Sequence, residues 1–277
     1  MSDDDLPAYA QQFVPEALQQ LDAAGPIAAL TPEWAWGGST GRGVRVAVVD
    51  SGIEHDHPAV GGQVHGGVVM EWDETAENYV RCEVDDAPQD VSGHGTACAG
   101  IIHALAPEAE LYSVRVLGRN MKGRAVQFAA GLTWAIENGM SVANLSLSTS
   151  RQEYYGMFHE ITDDAYFRNM VLVSAVNNIP VPSYPSLYSA VISVAAHGGH
   201  DPFTYYYNPA PPVEFGAPGI DVRVAWKDHQ YLTSTGNSFA APHIVGLVAL
   251  IRSKHPGLTP FQIKTILWAC AANVHRG

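Results

Sequence analysis

Short, nearly all-apolar segments recur along this chain and alternate with longer stretches of helical character, which limits the folds open to it. The apolar segments are Val44–Val49, Leu111–Val116, Val142–Leu147, Val171–Val176 and Val191–Ala195. A strand with one face in water alternates apolar and polar residues, whereas a strand apolar throughout is covered on both faces, as in a parallel sheet. Between and after them, helices are expected at His94–Leu105, Ala125–Asn138, Asp163–Asn169 and Ser238–Lys254. A last helix follows Thr259, whose hydroxyl can cap it, with Pro260 at its first position. This order reads as an α/β fold in three layers, a mainly parallel central sheet flanked by helices.

In such sheets the working residues gather at the carboxyl ends of the strands. Three segments fit that placement. Val46-Ala47-Val48-Val49-Asp50-Ser51-Gly52 carries a carboxylate off the end of a buried strand. Ser92-Gly93-His94-Gly95-Thr96-Ala97-Cys98-Ala99-Gly100 starts a small-residue helix with an imidazole. Gly236-Asn237-Ser238-Phe239-Ala240-Ala241-Pro242-His243 puts a hydroxyl at the N-terminus of a very apolar helix, where the helix dipole favours developing negative charge. Pro242 is expected to be tolerated because amides of a helix's first turn have no intrahelical acceptor. Taken singly, Asp50 reads as a turn residue, His94 as a helix start and Ser238 as an N-cap. Taken together they supply a nucleophile, a base to take its proton and a carboxylate to orient the base.

These segments, in the order Asp, His, Ser, resemble the signatures of the subtilisin-like serine peptidases, and the likeness covers roughly residues 35 to 270. Leu111–Gly118 resembles the strand after the histidine helix, Asn144–Ser148 the substrate-binding strand, Ser174–Asn178 the strand end with the oxyanion asparagine, and Ala217-Pro218-Gly219 the turn before the nucleophile. The resemblance implies a subtilisin-like fold and a serine endopeptidase, with Asp50, His94 and Ser238 catalytic and Asn178 in the oxyanion hole. It also implies that Ser146, Leu147, Ser148, Ala175 and Asn177 bind substrate. A non-catalytic peptide-binding pseudopeptidase and a transpeptidase or macrocyclase on the same fold are the alternative readings.

The chain departs from the family pattern in several places. Ile101–Pro107 runs straight into the next strand without the inserted loop that wraps a tight calcium ion in many secreted relatives, and Ala59 stands where a calcium-ligating aspartate is expected. No metal and no cofactor are therefore expected, since calcium needs hard oxygen ligands. Ser148 and Asn177 replace glycines along the primary pocket, which points to selective cleavage, such as removal of leaders from peptides. Asn237 replaces threonine, its amide a candidate donor to the oxyanion, and Phe239 replaces methionine. Asp90 reads as a solvated loop carboxylate or as a determinant for a basic residue beside the primary site. Cys98, one helical turn past His94, reads as a packing residue. His55, His57, His65, His103 and His243 show no ligand spacing, and His243 is placed behind the site.

A net charge of −13 argues against nucleic acid or an anionic membrane and leaves a peptide or protein substrate as the partner. No segment is apolar over the length of a membrane span. The opening MSDDDLPAYAQQ has neither a basic start nor an apolar core, so it does not read as a secretory signal. Cys82, Cys98 and Cys270 give no disulfide framework and no zinc spacing. Together these favour a cytoplasmic setting. Residues 1–35 read as an N-terminal extension, with a short helix at Pro15–Leu21 broken by Gly25-Pro26. The extension is either flexible or inhibitory, with Leu6-Pro7-Ala8-Tyr9 as the candidate blocking segment. Residues 36–277 read as the catalytic domain.

Overall fold

A computed structural model describes residues 30–75, 77–84 and 89–274. The elements expected before residue 30, Pro15–Leu21 and Leu6–Tyr9, lie outside them. In chain order the elements are α1 (Pro32–Trp36), β1 (Arg45–Asp50), β2 (Val64–Asp73), β3 (Asn78–Val84), α2 (His94–Leu105), β4 (Glu110–Arg115), α3 (Ala125–Glu137), β5 (Val142–Leu145), α4 (Tyr155–Phe167), β6 (Val171–Ala175), β7 (Val191–His197), β8 (Tyr206–Tyr207), β9 (Phe215–Pro218), β10 (Val222–Trp226), β11 (Gln230–Ser234), α5 (Asn237–Lys254) and α6 (Pro260–Cys270).

Among the described residues, nine strands form one sheet in the order β3-β2-β4-β1-β5-β6-β7-β9-β8. The pairs from β2 through β9 are parallel, and antiparallel pairing is confined to the edges, β2 with β3 and β8 with β9. The five apolar segments are the central strands, each within one or two residues of its expected bounds. Their uniform apolarity has the expected cause, because both faces are covered. In β1, Val46 and Val48 enter the core beneath α2 and α5, while Ala47 and Val49 enter the core beneath α3 and α4.

Helix α5 is buried along its length from Phe239 to Arg252, as a helix apolar on all sides must be. It runs against the sheet beside α2. Thr259 caps α6, accepting from the amide of Gln262. Helix α1 crosses the division drawn at residue 35: Ala35 and Trp36 are both buried in the core that holds α5.

Three expectations shift. Helix α4 begins at Tyr155 rather than Asp163. The edge pair β2–β3 and the hairpin β10–β11 were not expected at all. Pro242 sits in the interior of α5, beyond the first turn. Lacking an N–H, it leaves the carbonyl of Ser238, four residues back, without its helical donor.

Candidate active site

Adjacent parallel strands end level with one another. Asp50 pairs in register with Arg115, Val49 with Leu145, Leu145 with Ser174, and Ala175 with Val194. Asp50, Ser146–Ser148 and Val176–Asn178 therefore emerge at one end of the sheet. The strand order reverses there, because β2 and β4 lie on one side of β1 and β5 on the other. That is where α/β sheets hold their ligands.

Asp50 is fully buried and both its carboxylate oxygens lie 2.9 Å from His94 Nδ1. Its Oδ1 also accepts the amide of Ser51 at 2.7 Å. Such contact requires α2 to start almost on top of the end of β1. A Cβ at Gly95 would lie 2.0 Å from the carbonyl oxygen of Gly52, so the helix can approach only with glycine there. Burial of His94 works against its charged form, but the facing carboxylate of Asp50 outweighs it and holds the imidazole pKa well above its ordinary value. Fixing Nδ1 on a carboxylate leaves Nε2 as the nitrogen that exchanges protons.

Asp90 is neither solvated nor available to substrate. It is buried and accepts five hydrogen bonds, from Ser51 Oγ, the amides of Ser92, Gly93 and Thr96, and Thr96 Oγ1. Its carboxylate thus caps α2 in place of the missing side-chain cap at Gly93, and joins the helix to the residue after Asp50.

Ser238 is the second residue of α5 and half-buried. The carbonyl freed by Pro242 accepts Ser146 Oγ at 2.8 Å, and Cys98 Sγ lies 3.6 Å from it. Cys98 is fully buried, 4.0 Å from His94 Nδ1 and 3.9 Å from Asp50 Oδ2. All three sequence segments thus meet around this sulfur. Burial raises its pKa, so the group stays a thiol that packs and donates weakly. The Phe239 ring lies 5.4 Å from that of His94. His243 is buried one turn further along α5, bonded through Nδ1 to the carbonyl of Phe239. Burial lowers its pKa to about 4.

Asn178 is exposed at the end of β6, and its Oδ1 accepts the amide of Asn237 at 3.0 Å. Its NH₂ is then the end able to donate to an oxyanion. The side chain of Asn237 is committed elsewhere, contrary to its expected role as an oxyanion donor. Nδ2 donates to the carbonyls of Val176 and Asn177, and Oδ1 accepts the amide of Ala196. It ties the ends of β6 and β7 to the start of α5.

Ser146, Leu147 and Ser148 line a groove of about 660 Å³ with Trp72, Leu117, Met121, Phe128 and Tyr154. Among the described residues, its charged lining is Lys122, Arg124 and Arg151. Ala175 and Asn177 stand apart from this groove, and Asn177 Oδ1 accepts the amide of Ile179 in a local turn. Sequence reasoning missed Lys122 and Arg124 because they sit in a polar loop, Arg119–Arg124, with no periodicity to mark it, and Arg151 because it stands alone after the Ser146–Ser148 segment.

Residues 41–276 match the model of the subtilase family. The chain is 34% identical over 241 residues to Subtilisin BL of Lederbergia lenta, covering 83% of this chain and 84% of that protein. It is 32% identical over 245 residues to the minor extracellular protease Epr of Bacillus subtilis (strain 168), covering 83% of this chain but 35% of Epr. The thermostable alkaline protease of Halalkalibacterium halodurans is 35% identical over 242 residues, and the chain spans 62% of it. A crystal structure of a cold adapted subtilisin-like serine proteinase superposes with a TM-score of 0.66 at 23% identity, covering 85% of this chain and 86% of that one, which shows the shared fold.

Proposed function

This chain belongs to the subtilase family, and from that premise we propose that it is a serine endopeptidase. Ser238 attacks the peptide carbonyl as His94 accepts its proton, and His94 later donates that proton to the leaving amine. Asp50 holds the imidazole and stabilises its charged form. Asn178 and the Ser238 amide receive the oxyanion. Ser146–Ser148 pair with the extended substrate as an added strand. The observation that carries this reading is the buried carboxylate of Asp50 set symmetrically on His94 Nδ1 at the foot of the Ser238 helix.

The enzyme is selective. Among the described residues, the groove beside Ser146–Ser148 carries Lys122, Arg124 and Arg151 and no acidic side chain in its lining, in a chain of net charge −13. Glu74 and Glu153, exposed at its margin, offset Arg124 and Arg151 only in part. A peptide with an acidic side chain on the acyl side of the scissile bond fits this field. A cytoplasmic setting is part of the proposal, supported by the buried Cys98, which is a free thiol. So is independence from a calcium ion at the Ala59 turn, since a methyl group offers calcium no ligand. Activity should then survive a calcium-selective chelator.

The decisive test is labelling with a fluorophosphonate. The native protein should be labelled once, at Ser238, and the Ser238→Ala variant not at all. Peptide binding without labelling or turnover would replace this reading with that of a pseudopeptidase.

A further inference from the structure

We propose a divalent transition-metal site, suited to zinc, formed by Glu54, Asp56 and His229, outside the catalytic cluster. One ligand atom from each lies within 4.8 Å of the other two. His229 Nε2 is 3.4 Å from Asp56 Oδ2 and 3.9 Å from Glu54 Oε1. Bonds of about 2.0–2.2 Å in tetrahedral zinc set its ligand atoms roughly 3.3–3.5 Å apart, so the three close on one ion with small side-chain movements. One imidazole and two carboxylates neutralise the ion's charge, and imidazole favours zinc over calcium or magnesium.

Neighbouring groups hold these ligands and exclude competitors. Glu54 is nearly enclosed, and its two oxygens accept the amides of Asp228 and His229, the outer support that metal-binding carboxylates have. His57 is nearby but spent: its Nδ1 accepts the Ala59 amide and its Nε2 meets the carbonyl of Gln230. His229 Nε2 faces the carboxylates of Asp56 and Glu54. Asp56 and His229 remain half-exposed, which gives an ion a way in.

The site bridges two segments that serve the catalytic centre. Glu54 follows Asp50 on the loop leaving β1, and its amide donates to Thr96 of α2 at 2.9 Å. His229 lies in the turn of the β10–β11 hairpin, which leads into α5 and Ser238. An ion here braces that hairpin against the loop behind Asp50. The spacing of histidines along the sequence cannot reveal it, because the imidazole comes from a distant hairpin.

The experiment is a titration of the full chain with Zn²⁺ by calorimetry and with Co²⁺ by absorption, repeated on His229→Asn, Asp56→Asn and Cys98→Ser. Asparagine suits the left-handed φ of 55° at position 229, so the turn survives the change. We expect one equivalent bound, affinity lowered at least about tenfold in His229→Asn and Asp56→Asn, and no change in Cys98→Ser. Zn²⁺ should raise the Tm of the native protein and not that of His229→Asn. No binding, or binding indifferent to His229→Asn and Asp56→Asn, would overturn the proposal. So would a thiolate-to-cobalt band lost in Cys98→Ser, which would put the ion on the second trio of this kind, Asp50, His94 and Cys98.

Discussion

The two halves of the candidate site are built in opposite ways. The Asp50–His94 half is buried and finished: carboxylate, imidazole, Asp90 and Cys98 are packed between β1, α2 and α5 with their partners in place. The Asn178 half is exposed and rests on two asparagines that link loop ends to the start of α5. The contrast suits the proposed chemistry. A base must be held in one tautomer before substrate arrives, which burial achieves, while an oxyanion donor must stay open to the reacting carbonyl. Loss of a buried group should therefore damage the fold as well as the rate. Loss of an exposed one should damage the rate alone.

Asp90→Ala tests the first half most severely. Stranding the hydroxyls of Ser51 and Thr96 and three amides should cost about 3 kcal/mol or more of stability in urea unfolding. A loss under about 1 kcal/mol would break the comparison. Asn178→Ala should lower kcat by roughly 10²–10³ with KM little changed and the unfolding midpoint unmoved. A matching fall in stability would show that both halves are structural. The pH–rate profile comes next. With the His94 pKa raised, kcat/KM should climb with pH through a midpoint above the ordinary imidazole value of about 6.5. The sign for stability is opposite. The stabilisation from this raised pKa is complete below about pH 6.5 and fades as pH rises through the folded value. His243 adds an acid limit, because its pKa near 4 makes the folded state lose stability as pH falls from about 6.5 toward that value. A midpoint at or below 6.5 would mean that Asp50 does not govern His94. The smallest effect expected is at Arg124→Glu, about three- to tenfold in kcat/KM for peptides acidic on the acyl side, measured against neutral peptides.

The same contrast separates what the sequence discloses from what it hides. The central strands are legible because burial on both faces writes a continuous apolar run, as in Val46–Val49, and α6 because Thr259 and Pro260 mark its start. The helix that starts at His94 is legible from its run of small residues. Asp90 is not, since its neighbours, Gln89 and Val91, resemble any surface turn, and its donors are identified only once α2 and the residue after β1 are placed around it. Asn237 is opaque for the same reason: its partners at Val176, Asn177 and Ala196 come from the turn after β6 and from β7. The start of α4 is hidden because Tyr155, Gly156 and His159 give its first turns little apolar periodicity. The strands β2, β10 and β11 are broken by Gly66-Gly67 or by polar residues, so no run announces them.

Pro242 carries a last consequence. The carbonyl it releases is gripped by Ser146, whose hydroxyl also receives Asn144 Nδ2 at 3.0 Å. Ser146 begins the segment on which a peptide would lie. A substrate strand settling there would therefore press on a lever whose short arm is the backbone of the proposed nucleophile. Seating the peptide and aiming the hydroxyl would then be one motion, and a poorly seated peptide would meet a poorly aimed serine.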